Sequence, residues 1–427
     1  MISQIKLENF RCYEDTLVDF KDKRGSIRPL SVVFGDNISG KTSFLMAFAF
    51  VKHSVESLYF DILNERRTSV RYEHRIKPFV LGEHIVRHYR KGSHSPMVIT
   101  LDFFKDNVIY RYKMVMLQGE LIEESLYRKV RSEFVLCFHS SQNEVKWGTR
   151  FVVAKDRDYI DEMVEKYQSR YSIFSIFNFL GSGEVRHDLR VHRSVLVVLD
   201  IINSLYIEVD RYYSQKLRLA YFNDHDFGPF EGYVTSDRLV SMRASLPITN
   251  NMLRMLFPNV QGLSYKTTQI SEDYYRYKIC IDFINKGDTY TVGNDDMPTS
   301  LYEFLSIIAS IICYPRNYIF IIDDFANKMS HFSLKQLFET IIPVMDISFI
   351  VTVADNDAMN VVTPRDIQIA WSNNSEFHID QITSFLNVQQ NHNLRSRFER
   401  GLLIPDDRSS QHDLGKNFSN YINSHKL

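Results

Sequence analysis

The sequence predicts an α/β fold, and three observations carry that prediction. Leu30–Phe34 is an apolar, β-branched run that stops at Gly35, and Phe44–Val51 follows with neither glycine nor proline. From about Ser300 to Val353 helical and extended signals alternate. Within that stretch a second apolar run, Tyr318–Ile322, ends on Asp323 and Asp324. Strand, glycine loop and helix in succession, followed by alternating helix and strand, argue for a mainly parallel sheet.

Between Ile2 and Phe20 apolar residues alternate as in short strands. Leu30–Phe34 reads as a buried strand and Phe44–Val51 as part of a largely buried helix. Val98–Phe104 and Val108–Met116 are separated by Asp106-Asn107, the signature of an antiparallel hairpin, and further strands follow it. From about Asp156 to Phe257 the signals turn helical, with Ser194–Tyr206 reading as one helix. Extended patterns return at Tyr274, then a helix over Ser300–Tyr314, the strand Tyr318–Ile322, a helix over Ser333–Val344 and the strand Ile347–Val353. The expected division is an N-terminal lobe over 1–155, a helical insertion over 156–262, a C-terminal lobe over 263–390 and an extension over 391–427.

Bulk properties narrow the class. The chain has 427 residues, 44% hydrophobic and 24% charged, an ordinary globular composition. With 51 basic against 52 acidic residues the formal charge is -1, which excludes a uniform polyanion-binding surface. Cys12, Cys137, Cys280 and Cys313 are far apart and lack C-x-x-C spacing, as expected of free thiols in a reducing compartment. No basic-then-apolar leader opens the sequence, so the expected location is cytoplasmic. The run Leu305–Tyr314 falls short of the ~20 residues a membrane helix needs, so no membrane span is predicted.

Gly35-Asp-Asn-Ile-Ser-Gly-Lys-Thr42 fits the spacing G-x-x-x-x-G-K-[ST] of a phosphate loop and sits between strand and helix, where such a loop must be. Glycines let backbone wrap a phosphate, whose charge is met by loop N–H groups and the helix N-terminus. The expected ligand contacts are Gly35, Asn37, Ser39, Gly40, Lys41, Thr42 and Ser43, with Lys41 on the β- and γ-phosphates of ATP and the Thr42 hydroxyl on Mg2+. Asp323 supplies the strand-end acid for the Mg2+ shell, and Asp324 stands where a residue orients or deprotonates the attacking water.

At these residues the chain resembles the ABC-type AAA ATPases of the OLD-like and abortive-infection group, relatives of the SMC and RecF ATPases. The opening Ile5-Lys-Leu-Glu-Asn-Phe-Arg-Cys-Tyr13 is similar to that family's N-F-R-x-aromatic start, and Ile321–His331 to its D-E-F-D-N-x-L-H stretch with one extra residue. The resemblance implies an ABC-type ATPase head with a β-rich subdomain and an inserted helical lobe. It also implies a homodimer or higher oligomer, with His331 by the partner's nucleotide and Arg11 by the chain's own. His331 has an alternative as a surface helix cap, and Arg11 as the partner of a surface carboxylate. Three positions depart from the family: Asp324 replaces a catalytic Glu, Met297–Glu303 lacks the signature glycine, and Asp355 stands where the switch His would be. A carboxylate misplaced by ~1 Å costs about 10²-fold in rate, and an anion facing a γ-phosphate repels it. Nucleotide binding with slow hydrolysis is the resulting expectation.

The biology implied is a sensor or regulatory ATPase subunit of an anti-phage defence system, acting with a separately encoded effector protein. A repair-type DNA-binding ATPase is the alternative. For that reading the clusters Arg66-Arg67, Arg71, Arg75-Ile-Lys77 and Arg87–Lys91, interleaved with Tyr72 and Tyr89, offer a nucleic-acid groove. A third reading is a scaffold in which ATP is structural.

Overall fold

The computed structural model describes residues 1–22, 24–66, 79–141, 144–148, 154–168, 170–181, 192–209, 231–285, 287–293, 296, 298, 301, 318–325, 329–344, 347–373, 376–385, 393–400 and 402. Among these the strands form three sheets in a mixed α/β fold. The first is seven-stranded and antiparallel. It joins β1 (Ile2–Phe10) and β2 (Tyr13–Asp19) to β4 (Met97–Lys105), β5 (Val108–Leu117), β6 (Glu120–Val130), β7 (Glu133–Ser141) and β8 (Glu144–Trp147), in the order β2-β1-β4-β5-β6-β7-β8. The β4–β5 turn falls on Asp106 and Asn107, whose φ values of 53° and 60° are the left-handed pair that a two-residue hairpin turn requires.

The second sheet carries the loop. Its order is β17-β16-β3-β15-β14-β9, where β3 is Leu30–Phe34, β9 Leu205–Glu208, β14 Ile319–Ile322, β15 Ser348–Thr352, β16 Ile367–Asn373 and β17 Glu376–Gln381. All neighbours are parallel except β16 and β17. A parallel sheet is covered on both faces, which explains why β3, β14 and β15 are apolar at nearly every position. Val33, Ile321 and Ile350 face one core, and Phe34, Phe320 and Phe349 face the other. On that second face Phe320 stacks on Phe349 at 4.9 Å and lies 5.2 Å from Tyr206. The third sheet, β10 (Glu231–Thr235), β11 (Val260–Gln269), β12 (Tyr274–Asn285) and β13 (Asp288–Gly293), is antiparallel and packs against the helix α6 (Ser236–Leu256).

Helix α1 (Lys41–Arg66) begins at the end of the loop and packs between the first two sheets, and α2 (Leu81–His88) and α3 (Ala154–Tyr167) follow it in the chain. Its residues Phe44–Val51 are all buried, and each such large side chain contributes about 1.5–3 kcal/mol. Helix α4 (Ile173–Gly181) lies along it, and Ser175 Oγ accepts from the Leu58 N–H at 3.0 Å. The start of α4 is held by the fully buried Glu124, which accepts from Ile173 N at 2.6 Å, Phe174 N at 3.1 Å and the Tyr112 hydroxyl at 2.8 Å. Burial raises the Glu124 pKa to about 7.

Two stretches differ from the helical reading of 156–262: Glu231–Thr235 is strand β10, and Ser194–Tyr206 is not one helix. Ser194–Tyr206 is two elements: α5 (Arg193–Asn203) ends, and Leu205 begins β9 beside β14. The physical reason is Lys52 of α1, 2% exposed, whose ammonium donates to the carbonyls of Asn203 at 2.9 Å and Leu205 at 2.7 Å. A cation on the last carbonyls of a helix stabilises an end at that point. The expected helix Ser300–Tyr314 lies almost wholly outside the described residues. Among the described residues no helix is long and apolar enough to cross a membrane.

Candidate functional site

The loop begins where β3 leaves the sheet, and volume dictates both of its glycines. A Cβ at Gly35 would lie 2.4 Å from the Ala370 carbonyl oxygen and 2.5 Å from Ser39 Oγ. At Gly40, where φ is +96°, it would lie 2.7 Å from the Tyr13 hydroxyl and 3.1 Å from Cys12 Sγ. Strand β16 therefore presses on one end of the loop and the β1–β2 turn on the other. The buried Tyr13 donates its hydroxyl to the Gly40 carbonyl at 3.0 Å, and the Cys12 thiol lies near Ser43. Burial, the larger cause, pushes that thiol's pKa up against the lowering effect of Ser43.

Between the glycines the loop reaches solvent. Asp36, Asn37 and Ile38 are exposed, and Ile38 holds a φ of +71°, a conformation a β-branched residue rarely takes. Ser39 is buried, and its hydroxyl has no hydrogen-bond partner among the described residues. The Lys41 ammonium curls back over the loop, donating to the carbonyls of Gly35 at 2.6 Å and Asp36 at 3.0 Å. Burial lowers its pKa, opposed by Asp324, Asp323 and Asp36.

Those two aspartates arrive from β14, with β15 lying between it and β3. The Asp323 N–H continues the ladder to Glu208 O at 2.9 Å. Asp324 then turns out of the sheet at a left-handed φ of 50°. Thr352, at the end of β15 and fully buried, joins the two: its hydroxyl donates to Asp323 Oδ1 at 2.5 Å and accepts from the Asp324 N–H at 2.9 Å. The Asp324 pKa is raised by partial burial and by Asp323 beside it, and Lys41 opposes the rise. The structure thus brings Gly35, Ser39, Gly40, Lys41, Asp323 and Asp324 to one end of the parallel sheet, where open α/β folds place their ligands.

The remaining predicted residues sort as follows. Thr42 is exposed on the first turn of α1, and Ser43, beside it, is half-buried near Cys12. Arg11 occupies the β1–β2 turn at a φ of 52°, next to the residues that touch Gly40, and its N–H donates to His88 O at 2.7 Å. His331 begins the short helix α7 (His331–Gln336), whose N-cap is Ser330. Its Nε2 lies 3.8 Å from Asp357 Oδ2, in an exposed group with Asp355 and Asp357 where Arg395 also pairs with Asp357. Most of the segment Met297–Glu303 lies outside the described residues, as do Arg67, Arg71, Tyr72, Arg75 and Lys77. Of the basic cluster after Gly82, His88 is a core residue stacked on Phe10 at 5.5 Å. Burial, then Arg11, takes its pKa down to about 3. Arg90 pairs with Glu14 at 2.7 Å. Sequence reasoning missed the roles of Tyr13 and Thr352. No spacing rule marks a hydroxyl that acts from a neighbouring strand.

Residues 1–194 match the AAA ATPase domain family. The AAA ATPase match takes in Arg11, the loop and the whole seven-stranded sheet, and stops before Asp323. Comparison with curated proteins gave no match. Among solved structures, the SMC head domain from Thermotoga maritima is similar at 12% identity and a TM-score of 0.40, over 89% of this chain and 98% of that one. The Smc head domain from Pyrococcus furiosus, with an extended coiled coil and bound to the C-terminal domain of ScpA, is similar at 8% identity and a TM-score of 0.40, over 88% and 95%. At that level of superposition the functional reading is left to the chain's own residues and to the AAA ATPase match.

Proposed function

We propose that this protein binds ATP with Mg2+ and hydrolyses it slowly. The observation that carries the reading is that the Lys41 ammonium, held over the loop after β3, stands at the same end of the parallel sheet as Asp323 and Asp324, which follow the second strand away. Residues present fit the ligand. Ser39 offers a buried hydroxyl with no partner among the described residues, and the Gly40 backbone lies where only glycine is accommodated. Lys41 gives up two backbone carbonyls to meet a phosphate, a charge-assisted contact of the stronger kind. The loop N–H groups and the N-terminus of α1 add to it. Thr42 and Asp323 would hold Mg2+, which neutralises phosphate charge when bound. Asp324 is the residue assigned to the attacking water. Slow turnover follows from its shorter side chain and from Asp355 at the switch position.

The assignment to an anti-phage defence system, with a nucleotide-strengthened homodimer and a separately encoded effector, rests on the motif resemblance. Equilibrium binding of a labelled ATP analogue tests the central claim. Lys41→Ala should weaken binding by at least about 100-fold, because a buried phosphate contact loses its charge partner. Equal affinities for the two proteins would remove the reading.

A further inference from the structure

Thr352 is a hydroxyl where packing alone favours valine. It sits on β15 with Ile350 and Val351, at 0% exposure, between strands whose inner positions are apolar. A buried hydroxyl costs about 1–3 kcal/mol unless it is hydrogen-bonded. Here both of its capacities are spent on the two acids. A hydroxyl has one proton, and Thr352 gives it to Asp323 Oδ1 at 2.5 Å, within the range of charge-assisted O–H···O bonds. One lone pair takes the Asp324 N–H at 2.9 Å, a donor that leaves the regular ladder as the chain turns through a φ of 50°. The flanking amides remain in the ladders: Asp323 N–H bonds to Glu208 O and Phe325 N–H to Thr352 O.

We propose that Thr352 is the positioning residue for the divalent cation of this site, fixing the Asp323 carboxylate so that Oδ2 is left for the metal and holding the left-handed turn at Asp324. The proposal rests on the Mg2+–nucleotide reading given above. A carboxylate with one oxygen pinned presents the other in a single orientation, and partners of this kind are typically worth about 10–100-fold in metal affinity. The Thr352 hydroxyl bonds the two acids and no residue of the loop, so its loss should act on metal binding and leave metal-free nucleotide affinity in place.

The test titrates Mg2+ into the full chain in the presence of a fluorescent, non-hydrolysable ATP analogue, and measures the analogue's affinity in excess EDTA alongside. Thr352→Val, which keeps the shape and removes the hydroxyl, should raise the half-saturating Mg2+ concentration by at least about tenfold. EDTA-state affinity should stay within about twofold. Thr352→Ser, which keeps the hydroxyl, should restore the wild-type Mg2+ response, and it serves as the deciding variant if the valine protein does not fold. An unchanged Mg2+ response in Thr352→Val, or a response lost in Thr352→Ser, overturns the role and leaves nucleotide binding standing. A wild-type chain that binds no analogue with or without Mg2+ overturns both.

Discussion

Around Gly35–Lys41 the constraint is volume, whereas around Asp323 and Asp324 it is one hydroxyl and a set of charges. The loop is wedged between Ala370 of β16 and Tyr13 of the first hairpin, and an added methyl has nowhere to go. The acids stand at the open end of β14, Asp324 exposed, and among the described residues the Thr352 hydroxyl bonds both while the Lys41 charge acts on Asp324. A wedged half tolerates no change of size and keeps its shape without ligand. A half held by polar contacts tolerates size but responds to the length and charge of each side chain. Binding and turnover should therefore be separable by mutation.

Gly40→Ala should be the most damaging single change to the loop. The methyl would meet the Tyr13 hydroxyl at 2.7 Å in a backbone at φ +96°, so strain and overpacking together should cost about 3 kcal/mol or more. Thermal unfolding should show a clearly lowered midpoint, and the ATP analogue should no longer bind. An alanine variant that melts and binds like the wild type would mean that the loop is not wedged at all. Next in size is the pair of acids. Asp323→Ala should lower steady-state phosphate release by about 10–100-fold, as loss of a metal-site group does, while Asp324→Glu should leave release unchanged or raise it. Equal damage from the two would remove the distinct role of Asp324. The smallest effect sharpens the picture of the loop tip. Ile38 is 91% exposed at φ +71°, and Ile38→Gly removes a strain of about 1–2 kcal/mol at a backbone-entropy cost of about 0.5–1 kcal/mol. A net stabilisation of up to about 1 kcal/mol should appear in chemical denaturation, and a destabilised glycine variant would show that the Ile38 side chain contributes contacts of its own.

What the sequence made legible was local. The run Leu30–Phe34 with its glycine loop, the hairpin at Asp106-Asn107 and the acids after Ile322 each announce themselves within a few residues, and each is found where it was expected. The end of α5 was not legible, because it depends on Lys52, remote in the chain, meeting the Asn203 and Leu205 carbonyls. Tyr13 and Thr352 were missed for the same reason: their parts are set by which strands become neighbours, and nothing in Tyr13-Glu-Asp or Val351-Thr-Val states that. Within the cluster Arg87–Lys91 the burial of one member was not legible: His88 is stacked on Phe10 in the core, whereas Arg87 and Lys91 are exposed.

Lys52 also gives the molecule a mechanical property. Helix α1 has 26 residues and is a rod roughly 39 Å long at 1.5 Å per residue, with its first turn at the loop. Eleven residues further on, roughly 16 Å down the rod, Lys52 is bolted to the end of α5 and the start of β9. Sliding the rod against the sheet would strip the Asn203 and Leu205 carbonyls of a buried donor, so any pull on the loop is borne by loop, rod and β9 together. Through β9 that load reaches β14, the strand that ends in Asp323.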